Sequence, residues 1–275
     1  VKPNRPIARD ALGLGLRPSH YAALREGPPV AVDFFEILSE NYLGVSDLPR
    51  QVLSRVAAEY PIVAHGVSLD VLGPEPLDEG TLSRLRALVE RHGVPFVTDH
   101  LCWSASGGVR HHDLLPFPCA SDLVPYAAAR IRAVQEHLGV PFGVENVSTY
   151  LRFEREDLTE WEFLTRVLEA ADCGLLLDIN NLWVSSQNHG FDPHAYLDAI
   201  PWERVLYVHL AGHEVRPDGL LHDTHDRPVI DAVWDLYAEA WQRGGPFPTV
   251  LEWDDQIPPL EAVLRELGRA AEVRS

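Results

Sequence analysis

Methionine is absent from the chain altogether, even at position 1, so the sequence does not define where the natural chain begins. Cysteine is scarce: Cys102, Cys119 and Cys173 are odd in number, widely spaced and without a CxxC pair. That argues against a disulfide framework or a structural zinc ribbon and fits reduced thiols. No run of about 18 uninterrupted apolar residues occurs, which argues against a membrane-spanning helix. The N-terminal VKPNRPIARDALGLGL lacks the apolar stretch and small-residue cleavage site of a secretory signal. A cytoplasmic location without a membrane partner is therefore expected. Basic residues are also few, 23 Lys and Arg against 41 Asp and Glu for a net charge of −18. Such a surface repels a polyphosphate backbone, which removes nucleic acid from the expected partners. There is no G-x-S-x-G elbow, no P-loop, no HExxH helix and no GxGxxG turn after the first strand.

What is present is an ordinary globular composition, 46% hydrophobic and 23% charged, enough for a large buried core. Short apolar segments alternate with stretches of helical period. The segments are Ala11 to Leu16, Val30 to Leu38, PIVAH ending at His65, PFVTDH ending at His100, PFGVEN around Glu145, GLLLD ending at Asp178, RVLYVHL around His209 and TVLEW around Glu252. Helices are expected from Asp78 to Arg91-His92-Gly93, from Ser121 to Leu138-Gly139, from Thr159 to Ala171, from Asp231 to Arg243 and from Pro259 to Val273, several with capping residues at their ends. Eight strands alternating with helices, with no linker-like tract, predict an α/β fold: a single (β/α)8 TIM barrel over residues 1–275. A doubly wound open sheet is the structural alternative.

Most of these segments end in, or run into, a side chain that binds metals: His65, His100, Glu145, Asp178, His209 and Glu252, with Asp223 and His225 two apart in a loop. In a TIM barrel the C-terminal strand ends form the open mouth. Period-2 alternation points Val63/His65, Thr98/His100, Gly143/Glu145, Leu176/Asp178, Tyr207/His209 and Val250/Glu252 into the interior. One His or Asp at a strand end is more often a capping or hydrogen-bonded structural residue. Their coincidence favours one metal site, because ionisable groups converging in an interior need a compensating cation. Imidazole and carboxylate donors without thiolate suit iron, manganese or zinc alike. His20, His92 and His137 are placed in helices or at their ends, and His111, His112, His189 and His194 in loops. Cys102, two residues past His100, reads as a packed core thiol.

The blocks EILSENY, TDHLCWS, DLLPFP, GVENVSTYLRF, GLLLDINNLWVSSQNHGFDP, VHLAGH, HDTHDRPV and LEWDDQIP closely resemble the DUF692 family of multinuclear non-haem iron-dependent oxidative enzymes, over nearly the whole chain. The resemblance implies a xylose isomerase-like TIM barrel with two or three ions, Fe(II)/Fe(III), at its mouth. It implies O2 as co-substrate and, as substrate, a cysteine or another residue of a ribosomally made precursor peptide, often with a separate partner protein that grips the leader. By that likeness His65, His100 and Glu145 hold one metal. Glu145 bridges to a second held by Asp178, His209 and Glu252, and Asp223, His225 and Asn181 hold a third. Asn181 stands where related zinc endonucleases place a histidine, so the third ion is expected to be the weakest held. Asp99 and Val147 depart from the usual Glu and Pro at their positions without removing a ligand. Asn146, Asn180, His213 and Asp254 flank ligands and are candidates for supporting or substrate contacts. The rival readings are a zinc- or manganese-dependent hydrolase, endonuclease or sugar isomerase, with the net charge against the endonuclease, and a non-catalytic metal-binding subunit.

Overall fold

The computed structural model describes residues 5–27, 30–44 and 46–274. The first residues of the segment read for a secretory signal lie outside the described residues. Eight parallel strands close a barrel in which each pairs with its neighbours in sequence and the first meets the last. They are β1 (Leu12–Gly15), β2 (Phe34–Leu38), β3 (Ile62–Gly66), β4 (Val97–His100), β5 (Phe142–Glu145), β6 (Gly174–Asp178), β7 (Val205–Leu210) and β8 (Thr249–Leu251). Seven lie within the apolar segments of the sequence, and β3 runs one residue past its segment to Gly66. The strands are apolar on both faces because one face fills the barrel and the other packs against helices.

The interior is layered. Ala11, Phe34, Val63, Leu176, Tyr207 and Val250 form a closed apolar cluster of their own, separate from the larger core between barrel and helices. Gly13 makes room for it: a β-carbon there would lie 2.6 Å from the ring of Phe34. This plug seals the barrel below Glu36, His65, Asp178, His209 and Glu252, each two positions further along its chain segment. Register then sets His100 beside Glu145 and Asp178 beside His209.

The helices form largely where capping chemistry places them. Asp78 accepts from the amides of Gly80 and Thr81 to start Glu79–His92, which stops at Gly93 with φ 67°. Thr159 and Glu162 make a reciprocal capping box on Glu160–Ala171. Asp231–Gly244 and Leu260–Val273 complete the expected set. One start differs: Ser121 does not cap the helix Val124–Leu138 but opens a 3-10 turn and bonds to Asp157 instead.

Several placements of the histidines are corrected. His111 and His112 lie on a strand, in a hairpin formed by Trp103–Ser106 and Val109–Leu115, which turns at Gly107 and Gly108 with φ 60° and 75°. His189 ends the helix Ile179–His189 and His194 lies in the helix Pro193–Ala199. His20 ends a short 3-10 turn and is buried, its Nε2 2.9 Å from the carbonyl of Pro258. Among the described residues no helix is long and apolar enough to cross a membrane.

Candidate metal centre

The barrel mouth holds four histidines whose tautomers are set by their neighbours. His100 Nδ1 lies 3.0 Å from the carbonyl of Gly66, an acceptor only, so Nδ1 carries the proton and Nε2 keeps its lone pair. His65 Nδ1 meets Thr98 Oγ1 at 2.9 Å and turns Nε2 inward. His209 is reversed: Nε2 is 2.7 Å from Glu36 Oε2, which frees Nδ1. His225 Nδ1 is 3.1 Å from Asp254 Oδ2 and its Nε2 is free.

The free nitrogens converge on carboxylates without hydrogen-bond alignment. His65 Nε2 and His100 Nε2 lie 3.1 and 3.2 Å from Glu145 Oε2. His209 Nδ1 lies 3.0 Å from Glu252 Oε2, 3.7 Å from Glu145 Oε1 and 3.8 Å from Asp178 Oδ2. His225 Nε2 is 2.7 Å from Asp223 Oδ1. Yet, by hydrogen-bond geometry, Glu145 Oε2, Asp178 Oδ2, Asn181 Oδ1, His209 Nδ1 and His225 Nε2 are all buried atoms with no aligned partner among the described residues. Buried polar atoms are seldom left so. Lone pairs that approach within about 3 Å but aim past one another are what donors to a shared cation require. Groups able to hold an ion are His65/His100/Glu145, Glu145/Asp178/His209, Asp178/His225/Glu252 and Glu36/His209/Glu252.

The electrostatics agree. Burial pushes Glu145 up, but His100 and His65 more than offset it and bring it down to about 2. Burial and then the charge of Glu145 push Asp178 well above the carboxylate range. Burial lowers His65 but Glu145 outweighs it, raising the imidazole to about 9. Without an ion the cluster balances part of its charge by holding protons, the role that divalent ions would take over. The thiols stand apart: burial pushes Cys119 and Cys173 up to about 12 and Cys102 well above its ordinary value.

Each expected neighbour has a definite task. Asn146 bonds the backbone of Asp178 in both directions at 2.9 Å, tying the ends of β5 and β6 together. Asp178 caps the helix Ile179–His189 with Oδ1 on the Asn181 amide and keeps Oδ2 inward. Asn181 donates to the Asn146 carbonyl, leaving its amide oxygen free. Asn180 donates to Asp223 Oδ1 and accepts from His213 Nδ1, both at 2.7 Å. Burial lowers the pKa of His213. Glu36 was not anticipated: its Oε2 accepts from Tyr207 and from His209. An acid inside FFEIL, two residues past an inward-facing Phe34, carries the same signal that picks out Glu145.

His225 adopts φ 47°, a left-handed conformation that costs about 1–2 kcal/mol for a residue bearing a β-carbon. Its amide bonds to the carbonyl of Gly212 at 3.0 Å. At Gly212 a β-carbon would lie 2.1 Å from the carbonyl oxygen of Arg227. Gly212→Ala is therefore expected to push the 222–228 segment outward at a cost of about 1–3 kcal/mol. Metal titration would show weakened binding through His225, with the circular dichroism of the barrel unchanged.

Residues 11–275 match the family described as RiPP precursor modification enzyme MbnB/TglH/ChrH. The chain belongs to that family. A UPF0276 protein of Anaeromyxobacter sp. (strain Fw109-5) is 46% identical over 264 residues, covering 96% of this chain and 92% of the relative. A UPF0276 protein of Caulobacter vibrioides (strain NA1000 / CB15N) is 44% identical over 261 residues, covering 95% and 93%. Among solved structures, a D-allulose 3-epimerase from Methylomonas sp. superposes with TM-score 0.62 at 14% identity, over 98% of this chain and 97% of that one. A xylose isomerase-like TIM barrel/4-hydroxyphenylpyruvate dioxygenase fusion protein gives 0.63 at 16%, over 97% of this chain and 42% of the fusion chain. At such identities these last two show the xylose isomerase-like barrel alone.

In this RiPP-family barrel a cavity of about 530 Å³ lies at the mouth against Leu101 and Asn146, next in sequence to His100 and Glu145. Phe117, Trp161 and Phe191 line it, and half-buried Glu160 stands in its wall with Oε1 3.1 Å from the Tyr196 hydroxyl. Burial pushes the Glu160 carboxyl up from 4.5 to about 7. The folded protein thus holds this proton more tightly than the unfolded chain. The associated stability is present below about pH 4.5 and is lost as pH rises through about 7. Glu160→Gln should flatten this fall, seen as a smaller drop in melting temperature from pH 5 to pH 8 than in the unaltered protein.

Proposed function

We propose that the protein is an O2-dependent multinuclear non-haem iron oxidase or oxygenase that modifies a cysteine of a ribosomally synthesised precursor peptide. Membership of the RiPP precursor modification family supports the substrate class. The observation that carries the metal half is the set of orphaned donors, Glu145 Oε2, Asp178 Oδ2, Asn181 Oδ1, His209 Nδ1 and His225 Nε2, gathered in one buried cluster. In this reading His65, His100 and Glu145 hold one iron. Glu145, Asp178, His209 and Glu252 hold a second, and Asn181, Asp223 and His225 hold a third. Bound there, the irons would supply a Lewis acid for the substrate thiolate and a reductant for O2.

The chain's own residues do the rest. Glu36, Thr98, Asp254 and the Gly66 carbonyl keep each imidazole facing inward, because their bonds occupy the other ring nitrogen. Asn146 holds the Asp178 backbone and also borders the cavity, so it couples ligand position to substrate position. The cavity is large enough for residues flanking the modified cysteine, and its wall combines Phe117, Trp161 and Phe191 with charged Arg152, Glu156 and Glu160, which suits a segment of mixed apolar and polar side chains. With Cys102, Cys119 and Cys173 all held as thiols, none competes with the incoming thiolate. A separate leader-binding partner protein belongs to this reading.

Two or three irons per chain by elemental analysis, an iron EPR signal, O2 consumption and a mass change on a cysteine-bearing precursor peptide are the expected results. Zinc or manganese at that stoichiometry, with iron persistently excluded, would overturn it. The second reading, a zinc or manganese hydrolase or sugar isomerase, draws on the nitrogen and oxygen donor set and on the epimerase-like barrel. Turnover of ketose sugars without O2 would establish it.

A further inference from the structure

Arg17, which follows β1 at the barrel mouth, is only 6% exposed, a rare state for arginine. All its bonds run to three consecutive residues after β8. Nε donates to the Trp253 carbonyl at 2.8 Å, and Nη2 donates to Glu252 Oε1 at 2.8 Å and Asp254 Oδ1 at 2.6 Å. The two carboxylates are thereby divided. Glu252 gives Oε1 to Arg17 and turns Oε2 to within 3.0 Å of His209 Nδ1 and 3.2 Å of His225 Nδ1. Asp254 gives Oδ1 to Arg17 and Oδ2 to His225 Nδ1, the bond that leaves His225 Nε2 free. One guanidinium thus orients one ligand directly and another through a single intermediary, and no bond of Arg17 reaches His65, His100 or Glu145.

We infer that Arg17 is a positioning residue for two of the three ions of that reading: it restricts Glu252, a ligand of the second, to one coordinating oxygen and locks His225, a ligand of the third, through Asp254. This rests on the metal reading above but adds a residue that touches no ion. The fork shape is necessary. An ammonium has the charge of Arg17 but cannot meet the Trp253 carbonyl and two carboxylates from one planar group. A buried cation here also offsets part of the negative charge of Glu36, Glu145, Asp178, Asp223 and Glu252, so its loss acts on geometry and charge together.

The test is a cobalt(II) titration of metal-free full-length protein, followed by visible absorption and elemental analysis, with no peptide and no O2. The unaltered protein, Arg17→Met, Arg17→Lys, Asp254→Asn and His65→Ala are compared, each first checked for folding by circular dichroism. Arg17→Met and Arg17→Lys are expected to weaken the cobalt ions held through Glu252 and His225 by about 10–100-fold, the usual range for a group that orients a ligand. That loss should come with a changed ligand-field band, while the ion that His65→Ala removes stays bound. Asp254→Asn should reproduce the smaller, His225-dependent part. Affinities and spectra like those of the unaltered protein in both Arg17 variants would overturn the inference, as would an equal weakening of every ion. If Arg17→Met fails to fold, Arg17→Lys and Asp254→Asn decide the matter on the same criteria. An unaltered protein that takes up no cobalt would sink the metal reading and this inference with it; selective failure of the Arg17 variants to differ would sink this inference alone.

Discussion

Replacing Glu145 with alanine is expected to remove two ions from the protein and to abolish turnover, while leaving the metal-free chain folded. Glu145 Oε2 faces His65 and His100, and Oε1 faces His209. It is the residue shared by the His65/His100/Glu145 and Glu145/Asp178/His209 groups. Groups that merely orient a ligand typically contribute about 10–100-fold to metal affinity or activity, so loss of a carboxylate common to two donor groups should exceed about 100-fold. The fold should survive because the barrel is sealed below the site by the layer of Phe34, Val63, Leu176, Tyr207 and Val250. Without Glu145, moreover, Asp178 loses the charge that, after burial, most raises its pKa. Elemental analysis, mass spectrometry of the precursor and melting of the metal-free variant would check this. A Glu145→Ala protein that keeps its full metal content would show that the orphaned atoms are not donors.

The barrel was legible in the sequence because parallel strands buried on both faces are short unbroken apolar runs, and β2 to β8 sit inside such runs with an ionisable residue at or just past the C-terminal end of most of them. His65, His100, Glu145, Asp178, His209 and Glu252 could be read from that placement, since period-2 alternation fixes which way each side chain points. Asp223 and His225 were visible as a D-x-H pair in a loop that joined the coincidence of strand-end donors, and only the resemblance grouped them with Asn181 around a third ion. Arg17 left a weaker mark, and Glu36, inside its strand, was passed over. Arg17 bonds across 235 residues to Glu252 and Glu36 across 173 to His209, and no local pattern encodes such partners. The hairpin after β4 was missed because WSASGGVRHHDLL is polar and solvated, without the apolar run that marks barrel strands. The helix Ile179–His189 was missed for a related reason: its Asn and Ser residues favour turns, but Asp178 caps its start and Gly190, at φ 70°, ends it.

A chelator should lower the melting temperature of the protein more than any single surface substitution. In the metal-free state Glu36, Glu145, Asp178, Asp223 and Glu252 crowd one end of the barrel with Arg17 as the permanent cation among them. All except Asp223 are at least nine-tenths buried. An ion that binds only the folded chain stabilises it by about 4 kcal/mol when free metal stands at 1,000 times the dissociation constant. Two such ions give roughly 8 kcal/mol, which for a chain of this size corresponds to roughly 15–30 °C. The drop should be reversed by readded Fe(II), and also by Zn(II) or Mn(II), because imidazole and carboxylate donors accept all three. Stability therefore reports that the site binds metal, and O2 consumption reports which metal works. In Glu145→Ala the chelator-dependent drop should shrink by more than half, since that variant has few ions left to lose. Identical melting with and without chelator in the unaltered protein would mean that the histidines and carboxylates neutralise one another as a static ion-pair network, and the orphaned atoms would then be a cost of the fold with no metal to offset it.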